Sequence, residues 1–208
     1  MWVARKNVLA GMIHGKVDWV SQKDGEIGMY LRPQDRDASK APTRCVMRGP
    51  EVGKMLANRL VEKGMTLTAH GEFSARAFLR NDDGSPMGEL VCTAARLFAE
   101  TTLDGRFRGS IYATLKGVVM NWDPNFLQVK SYFNAGEDGR TEQFTVSLAL
   151  KSWLDGMSQD GRQRFLSSMK KGREFTSSSL VDVSCYKSNA GVLTPSLMLL
   201  PTDFRLQS

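Results

Sequence analysis

Lys63-Gly64-Met65-Thr66 and Lys171-Gly172-Arg173-Glu174 are the two stretches that decide how this chain is organised. They stand 108 positions apart, and so do Phe78 and Tyr186. Nearer the front, Trp19 and Trp122 match at an offset of 103. The difference of five falls in the helical stretch before the Lys-Gly pair, where residues 155–164 read as longer than their partner. Each copy then reads as strands, one helix, Lys-Gly and more strands. A repeat of this kind sets the domain count before any motif is weighed.

Two domains of about 100 residues fit the 208-residue chain. We place them at 1–102 and 106–208, with residues 101–105 as a boundary too short for a floppy linker. The hydrophobic share of 41% and charged share of 24% are those of an ordinary soluble protein. A net charge of +6 and a pI near 9.3 favour a polyanionic partner, although many basic proteins bind nothing of the kind. No segment approaches the ~20 apolar residues that span a bilayer, and the first seven residues lack the apolar run of a signal peptide. Cys45, Cys92 and Cys185 are an odd number, far apart and each among apolar neighbours. They read as buried reduced thiols of a cytoplasmic protein. His14 and His70 have no Cys or carboxylate at ligand spacing, so neither metal nor other cofactor is expected.

In the first copy, residues 7–19 read as a strand that Gly11 and Gly15 allow to bend. A turn at Lys23-Asp24-Gly25 follows, then strands at 25–32 and 43–48 around an exposed polar loop, 33–42. Gly49-Pro50-Glu51 opens a helix whose apolar face is Val52, Met55, Leu56 and Leu60. Lys63-Gly64 closes it with a glycine cap. Residues 65–79 form a long strand, Asn81-Asp82-Asp83-Gly84 a hairpin turn and 89–98 the last strand. The second copy repeats this with strands at 109–120, 125–133, 142–150, 175–186 and 192–200. Its turn is at 135–139, and its helical region, 152–169, has a candidate break at Asp160-Gly161. Five short strands with one helix between the third and fourth is the chain order of an OB-fold barrel. The predicted architecture is all-β with one helix per domain, as two tandem five-stranded OB-fold barrels.

Alternate side chains of a strand point to opposite faces. Along residues 73–80 the apolar set is Phe73, Ala75, Ala77 and Leu79. The other face carries Ser74, Arg76, Phe78 and Arg80, a ring between two guanidinium groups. Such a face suits single-stranded nucleic acid, with the ring stacking a base and the cations meeting phosphates. Elsewhere Ile27, Met29 and Leu31 turn in while Tyr30 and Arg32 turn out. In the second copy Leu127, Val129 and Phe133 go in, and Phe126, Gln128, Lys130 and Tyr132 come out. Ile111, Ala113 and Leu115 are inward, leaving Tyr112, Thr114 and Lys116 outward. Arg44 and Arg48 add charge beside the third strand. Each outward ring has a plainer reading as loop cover or subunit contact, and outward Lys or Arg ordinarily serves solubility. Trp19 and Trp122, at strand ends, fit either base stacking or core packing. The second copy is not equivalent to the first. Its Ser184-Cys185-Tyr186-Lys187-Ser188 keeps the ring but loses both cations of that face, and Asp182 adds a negative charge.

The run Glu51-Val52-Gly53-Lys54-Met55-Leu56-Ala57-Asn58-Arg59-Leu60-Val61-Glu62-Lys63-Gly64, continuing through Met65-Thr66-Leu67-Thr68-Ala69-His70-Gly71-Glu72-Phe73, is similar to the bacterial single-stranded DNA-binding protein family. Phe78 matches that family's stacking aromatic and Asp83-Gly84 its hairpin tip. The resemblance is good over about residues 43–98 and fainter in the second copy, where it rests on Lys171-Gly172, Tyr186 and strand order. It implies a tandem two-OB member and, with two folds per chain, a homodimer offering four. The family's Gly/Pro/Gln-rich linker and acidic tip are missing after Thr202-Asp203-Phe204-Arg205-Leu206-Gln207-Ser208, so recruitment of other proteins through such a tail is not expected. The divergent halves suggest a phage, plasmid or integrative-element origin.

The function expected is non-catalytic, sequence-independent binding and protection of single-stranded DNA in replication, recombination or transfer. An RNA-binding OB protein, or an OB scaffold in a replication or conjugation complex, remains open. Catalysis is disfavoured because the acids cluster in turns (Asp24, Asp82-Asp83, Asp138), where they serve turn formation. No nucleophile–base pair, Walker loop or metal constellation accompanies them.

Overall fold

The computed structural model describes residues 7–31, 42–100, 109–135 and 140–207, with side chains left out of the description over 130–144. The first copy contributes β1 (Val8–Lys16), β2 (Trp19–Ser21), β3 (Glu26–Leu31), β4 (Thr43–Arg48), α1 (Pro50–Ala57), β5 (Thr66–Leu79) and β6 (Pro86–Glu100). The second contributes β7 (Ser110–Val118), β8 (Asn121–Trp122), β9 (Phe126–Ala135), β10 (Arg140–Ala149), α2 (Leu150–Asp155), α3 (Gln159–Ser168), β11 (Glu174–Lys187) and β12 (Leu193–Leu206). The loop expected at 33–42 with Arg32, most of the turn at 135–139 and the boundary at 101–105 fall outside the described residues.

Among the described residues each copy has six strands rather than five, because its first strand breaks in two. In copy one the break is at Val17-Asp18, not at a glycine. Val17 exchanges hydrogen bonds of 2.8 Å with Met65 O and Gly64 N, while Asp18 N turns to Gly28 O at 2.9 Å. The chain thus leaves β5 and joins β3, wrapping the ladder round the core. β4 runs parallel to β6 and β10 parallel to β12, so in each copy the strand before the helical region pairs with the last strand.

The duplication survives at the level of single hydrogen bonds. Val119 N donates to Arg173 O and Gly172 N to Val119 O, both at 2.8 Å, repeating the pattern around Val17. Val17 and Val119 therefore correspond at an offset of 102, under which Gly11 is the counterpart of Ala113. Those two residues are direct partners where β1 pairs antiparallel with β7. A position facing its own counterpart lies on a two-fold axis, so the copies meet as a symmetric pair. The two ladders merge through this join into one sheet of order β2-β3-β4-β6-β5-β1-β7-β11-β12-β10-β9-β8. That sheet does not close on itself as two separate barrels would, and the buried side chains of both halves form one continuous core cluster.

The glycines of β1 serve close packing rather than bending. A Cβ on Gly11 would stand 2.0 Å from Tyr112 O and 2.7 Å from Phe73 Cε2. The copies are pressed together a second time where β6 meets β11. There a Cβ on Gly88 would come within 2.6 Å of Ser184 O.

Helix α1 is shorter than its apolar spacing suggested. It stops at Ala57, Arg59 takes the left-handed conformation (φ 53°), and Leu60 N reaches back to Met55 O at 2.9 Å. Leu60 is consequently 56% exposed instead of lying on the helix's apolar face. Gly64 does not cap the helix; its positive φ of 96° serves the turn into β5. Copy two has two helices, not one. They are parted at 156–158, where Ser158 caps α3 by accepting from Gly161 N, so Asp160-Gly161 opens a helix rather than breaking one. Met47 and Leu148, both inward on β4 and β10, are 101 apart, and Gly64 and Gly172 are 108 apart. The inserted length is thus seven residues, not five. It lets Phe165 of α3 pack edge-on against Phe204, which stacks on Phe175 at 5.1 Å.

Candidate nucleic-acid interface

Strand alternation places the core as the sequence indicated for Phe73, Ala75, Ile27, Met29, Leu31, Ile111, Ala113, Leu115, Leu127 and Val129, all buried. It fails at the end of β5, where Leu79 is 56% exposed because the hairpin runs past the core. Phe133, predicted inward, and Lys130 and Tyr132, predicted outward, have side chains outside the described residues, as does Arg32.

On the outer face of copy one, Trp19 of β2, Tyr30 of β3, Arg44 of β4 and Phe78 of β5 come together. The Arg44 Cζ lies 5.0 Å from the Trp19 ring centroid, 5.4 Å from that of Phe78 and 5.8 Å from that of Tyr30. One cation thus sits among three rings, an arrangement favourable to both partners. The Trp19 ring lies directly on the backbone of Gly28, where a Cβ would come within 1.9 Å of it. Its indole Nε1 is covered and finds no acceptor among the described residues.

Beneath the rings lies a carboxylate to which the sequence reading gave no role. Glu89 of β6 is fully buried. Arg44 Nε and Arg76 Nε both donate to it, one to each oxygen. Arg76 also reaches Glu26 through two contacts of 3.0 and 3.1 Å, and Arg44 Nη1 donates to Tyr30 Oη at 3.0 Å. Burial alone would lower the pKa of both arginines. For Arg44 the hydrogen bonds to Glu89 and Tyr30, and for Arg76 those with Glu26 and Glu89, outweigh it and hold both above the ordinary value. The assembly is electrically neutral, with two arginines and two glutamates. Phe78 is therefore not a ring between two outward cations. Arg76 is turned down into the ion network, while Arg80 is exposed and 3.4 Å from Asp82.

Cross-strand pairing identifies what copy two puts in these places. Arg44, Glu89 and Arg76 are neighbours across β4, β6 and β5; Thr145, Ser196 and Ser184 are neighbours across β10, β12 and β11. Three hydroxyls replace the ion triad, and Phe126 stands where Glu26 does. Tyr186 keeps the position of Phe78 and is 50% exposed; Phe126 is 40% exposed. The register also corrects the tryptophans. Trp19 pairs with Gly28 and Asn121 with Gln128, whereas Trp122 pairs with Leu127 as Val20 does with Ile27. Trp122 is the counterpart of Val20, not of Trp19, and packs against the core as Val20 does.

The remaining candidates lie apart. Tyr112, 43% exposed, and Lys116 stand on the outer face of β7, in register with Met12 and Val8 of β1. Three strands separate them from Arg44's strand in the ladder. Arg48 is half-buried at the end of β4, four residues beyond Arg44. Asp182 is half-buried on β11 beside Met198. Cys45 and Cys92 are buried, and burial pushes the Cys45 thiol well up and that of Cys92 to about 12, so neither is a nucleophile; Cys185 is only half-buried. Among the described residues no group of His, Cys, Asp and Glu could hold a metal, and no helix is long and apolar enough to cross a membrane.

The architecture is that of a tandem OB-fold protein with an aromatic–cation cluster on the outer face of its first copy. It is similar to a deletion mutant of the single-stranded DNA-binding protein from Thermus aquaticus, with a TM-score of 0.50 and 13% identity over 98% of this chain and 96% of that one. The wild-type Thermus aquaticus protein superimposes with a TM-score of 0.49 and 11% identity, over 98% and 94% of the two chains. No protein-family model matches the chain, and no curated protein matches its sequence. At such identities it is the fold that is shared.

Proposed function

We propose that the chain binds single-stranded DNA without strong sequence preference and without catalysing a reaction. The observation that carries this reading is the cluster of Trp19, Tyr30 and Phe78 around Arg44, on the outer face of a fold shared with a single-stranded DNA-binding protein. Rings held on an open sheet face stack unpaired bases, each worth on the order of 1–3 kcal/mol, and tolerate any base because every base has a π-face. Arg80, Arg48 and the net positive charge supply phosphate contacts. Copy two, with Phe126 and Tyr186 near Thr145, Ser184 and Ser196, continues the path. Roles in replication, recombination or transfer, and a cytoplasmic, nucleoid-associated location, follow from such a partner.

Titration with oligo-dT at low salt tests this: intrinsic Trp and Tyr fluorescence should be quenched. Binding should then weaken with rising salt, with a log–log slope of about −0.7 per phosphate neutralised. A protein that leaves oligo-dT unbound at low salt ends the reading, and tighter binding of a matched RNA oligomer moves it to RNA. We further propose that two chains associate so as to present four OB folds. A sizing column should show twice the 23.1 kDa chain mass. Elution at the single-chain mass contradicts it.

A further inference from the structure

We infer that Glu89 is a positioning residue that locks Arg44 into the ring platform, so that copy one holds DNA through bases and not through an Arg44–phosphate contact. This deepens the single-stranded DNA-binding reading and rests on it.

The argument starts from burial. A carboxylate with no exposure is tolerated only when its charge is paired and hydrogen-bonded. Glu89 meets that demand with Arg44 on one oxygen and Arg76 on the other. A phosphate that captured Arg44 would take away half of that pairing from a carboxylate closed off from solvent. Arg76 already bridges two carboxylates, with Nε on Glu89 and both terminal nitrogens on Glu26. Arg44 is moreover only 23% exposed in its side chain, with its guanidinium among Trp19, Tyr30 and Phe78. Its charge is spent inside the protein, and its role there is to hold three rings in place from strands β2, β3 and β5.

The second copy supports the unit character of this network. Where the network is missing, all three members are missing together, as Thr145, Ser196 and Ser184. Keeping the carboxylate without its arginines would bury an unpaired charge. Among the described residues copy two retains a ring at Tyr186 but no cation shared between neighbouring rings.

Salt titrations of oligo-dT binding by the full chain test the assignment. Arg44→Met should raise the dissociation constant about tenfold at every salt concentration and leave the log–log slope unchanged, because ring placement is lost but no phosphate contact. Glu89→Gln, which sets Arg44 free of its carboxylate, should steepen the slope by about 0.7 if the variant folds, as judged by circular dichroism. An Arg44→Met slope shallower by about 0.7 makes Arg44 an ordinary phosphate contact and overturns the inference. So does Arg44→Met binding as wild type, or a folded Glu89→Gln with an unaltered slope. Should Glu89→Gln not fold, the Arg44→Met slope alone decides. Failure of the wild-type chain to bind is a different result, which removes the DNA-binding reading itself.

Discussion

Gly11→Val should cost about 3 kcal/mol or more of folding stability, seen as a lower denaturant midpoint in urea or guanidinium unfolding. Gly11 lies on the two-fold axis between the copies. Its missing side chain lets the backbone of β1 approach that of β7, with Tyr112 O 2.0 Å and Ala113 Cα 2.9 Å from where a Cβ would be. These are backbone atoms in a paired ladder, so neither can move aside without opening the β1–β7 pairing. Phe73, wholly buried, closes the third side. Gly53→Ala is the control. Gly53 is a helix-interior glycine with nothing within 4 Å of its would-be Cβ, and alanine there should stabilise by about 0.5–1 kcal/mol. A Gly11→Val chain as stable as wild type would mean that the copies are not joined along this line.

The second large effect concerns binding. Phe78→Ala should weaken oligo-dT binding by about ten- to a hundredfold, within the 1–3 kcal/mol of a stacked base, while Tyr186→Ala costs less than about fivefold. The asymmetry comes from preorganisation. Phe78 is part of a ring cluster ordered around Arg44, so little freedom is lost when a base stacks on it. Tyr186 is half exposed, with Ser184 two residues before it on the same face and Thr194 opposite. Parallel fluorescence titrations of the two variants decide the matter, and equal losses would contradict it.

How far the site could be read in advance differs from residue to residue. The outward faces of Phe78 and Tyr30 are legible because alternation in a strand assigns faces from sequence alone, whereas Arg44 reads only as charge beside the third strand. Arg76 reads as an outward cation, and the structure adds its ion pairs with Glu26 and Glu89. A guanidinium on an outer face reads as a phosphate contact until one knows that a carboxylate lies across the strand from it. Glu89 carried a signal, an acid within the apolar run 89–92, but only pairing β6 with both β4 and β5 shows which arginines meet it. Trp122 looked like a repeat of Trp19, since both are tryptophans at strand ends. A one-residue shift in register turns a side chain to the opposite face, and that shift separates them. Leu60 and Leu79 followed the periodicity of their segments but lie beyond the ends of what those segments pack against.

By itself the sequence determined that the fold is built twice, in which order its strands and helix region follow, and which strand faces are apolar. Those are local properties of periodicity and turn chemistry, present in any stretch of the chain read alone. Tertiary structure decided that the two copies share one open sheet through β1 and β7, that Arg44 of the ring cluster is neutralised from below by Glu89, and that the second copy lacks this network as a unit. These depend on pairing between residues distant in the chain, such as Arg44 with Glu89 and Gly11 with Ala113, whose register is set by the packing of the whole core.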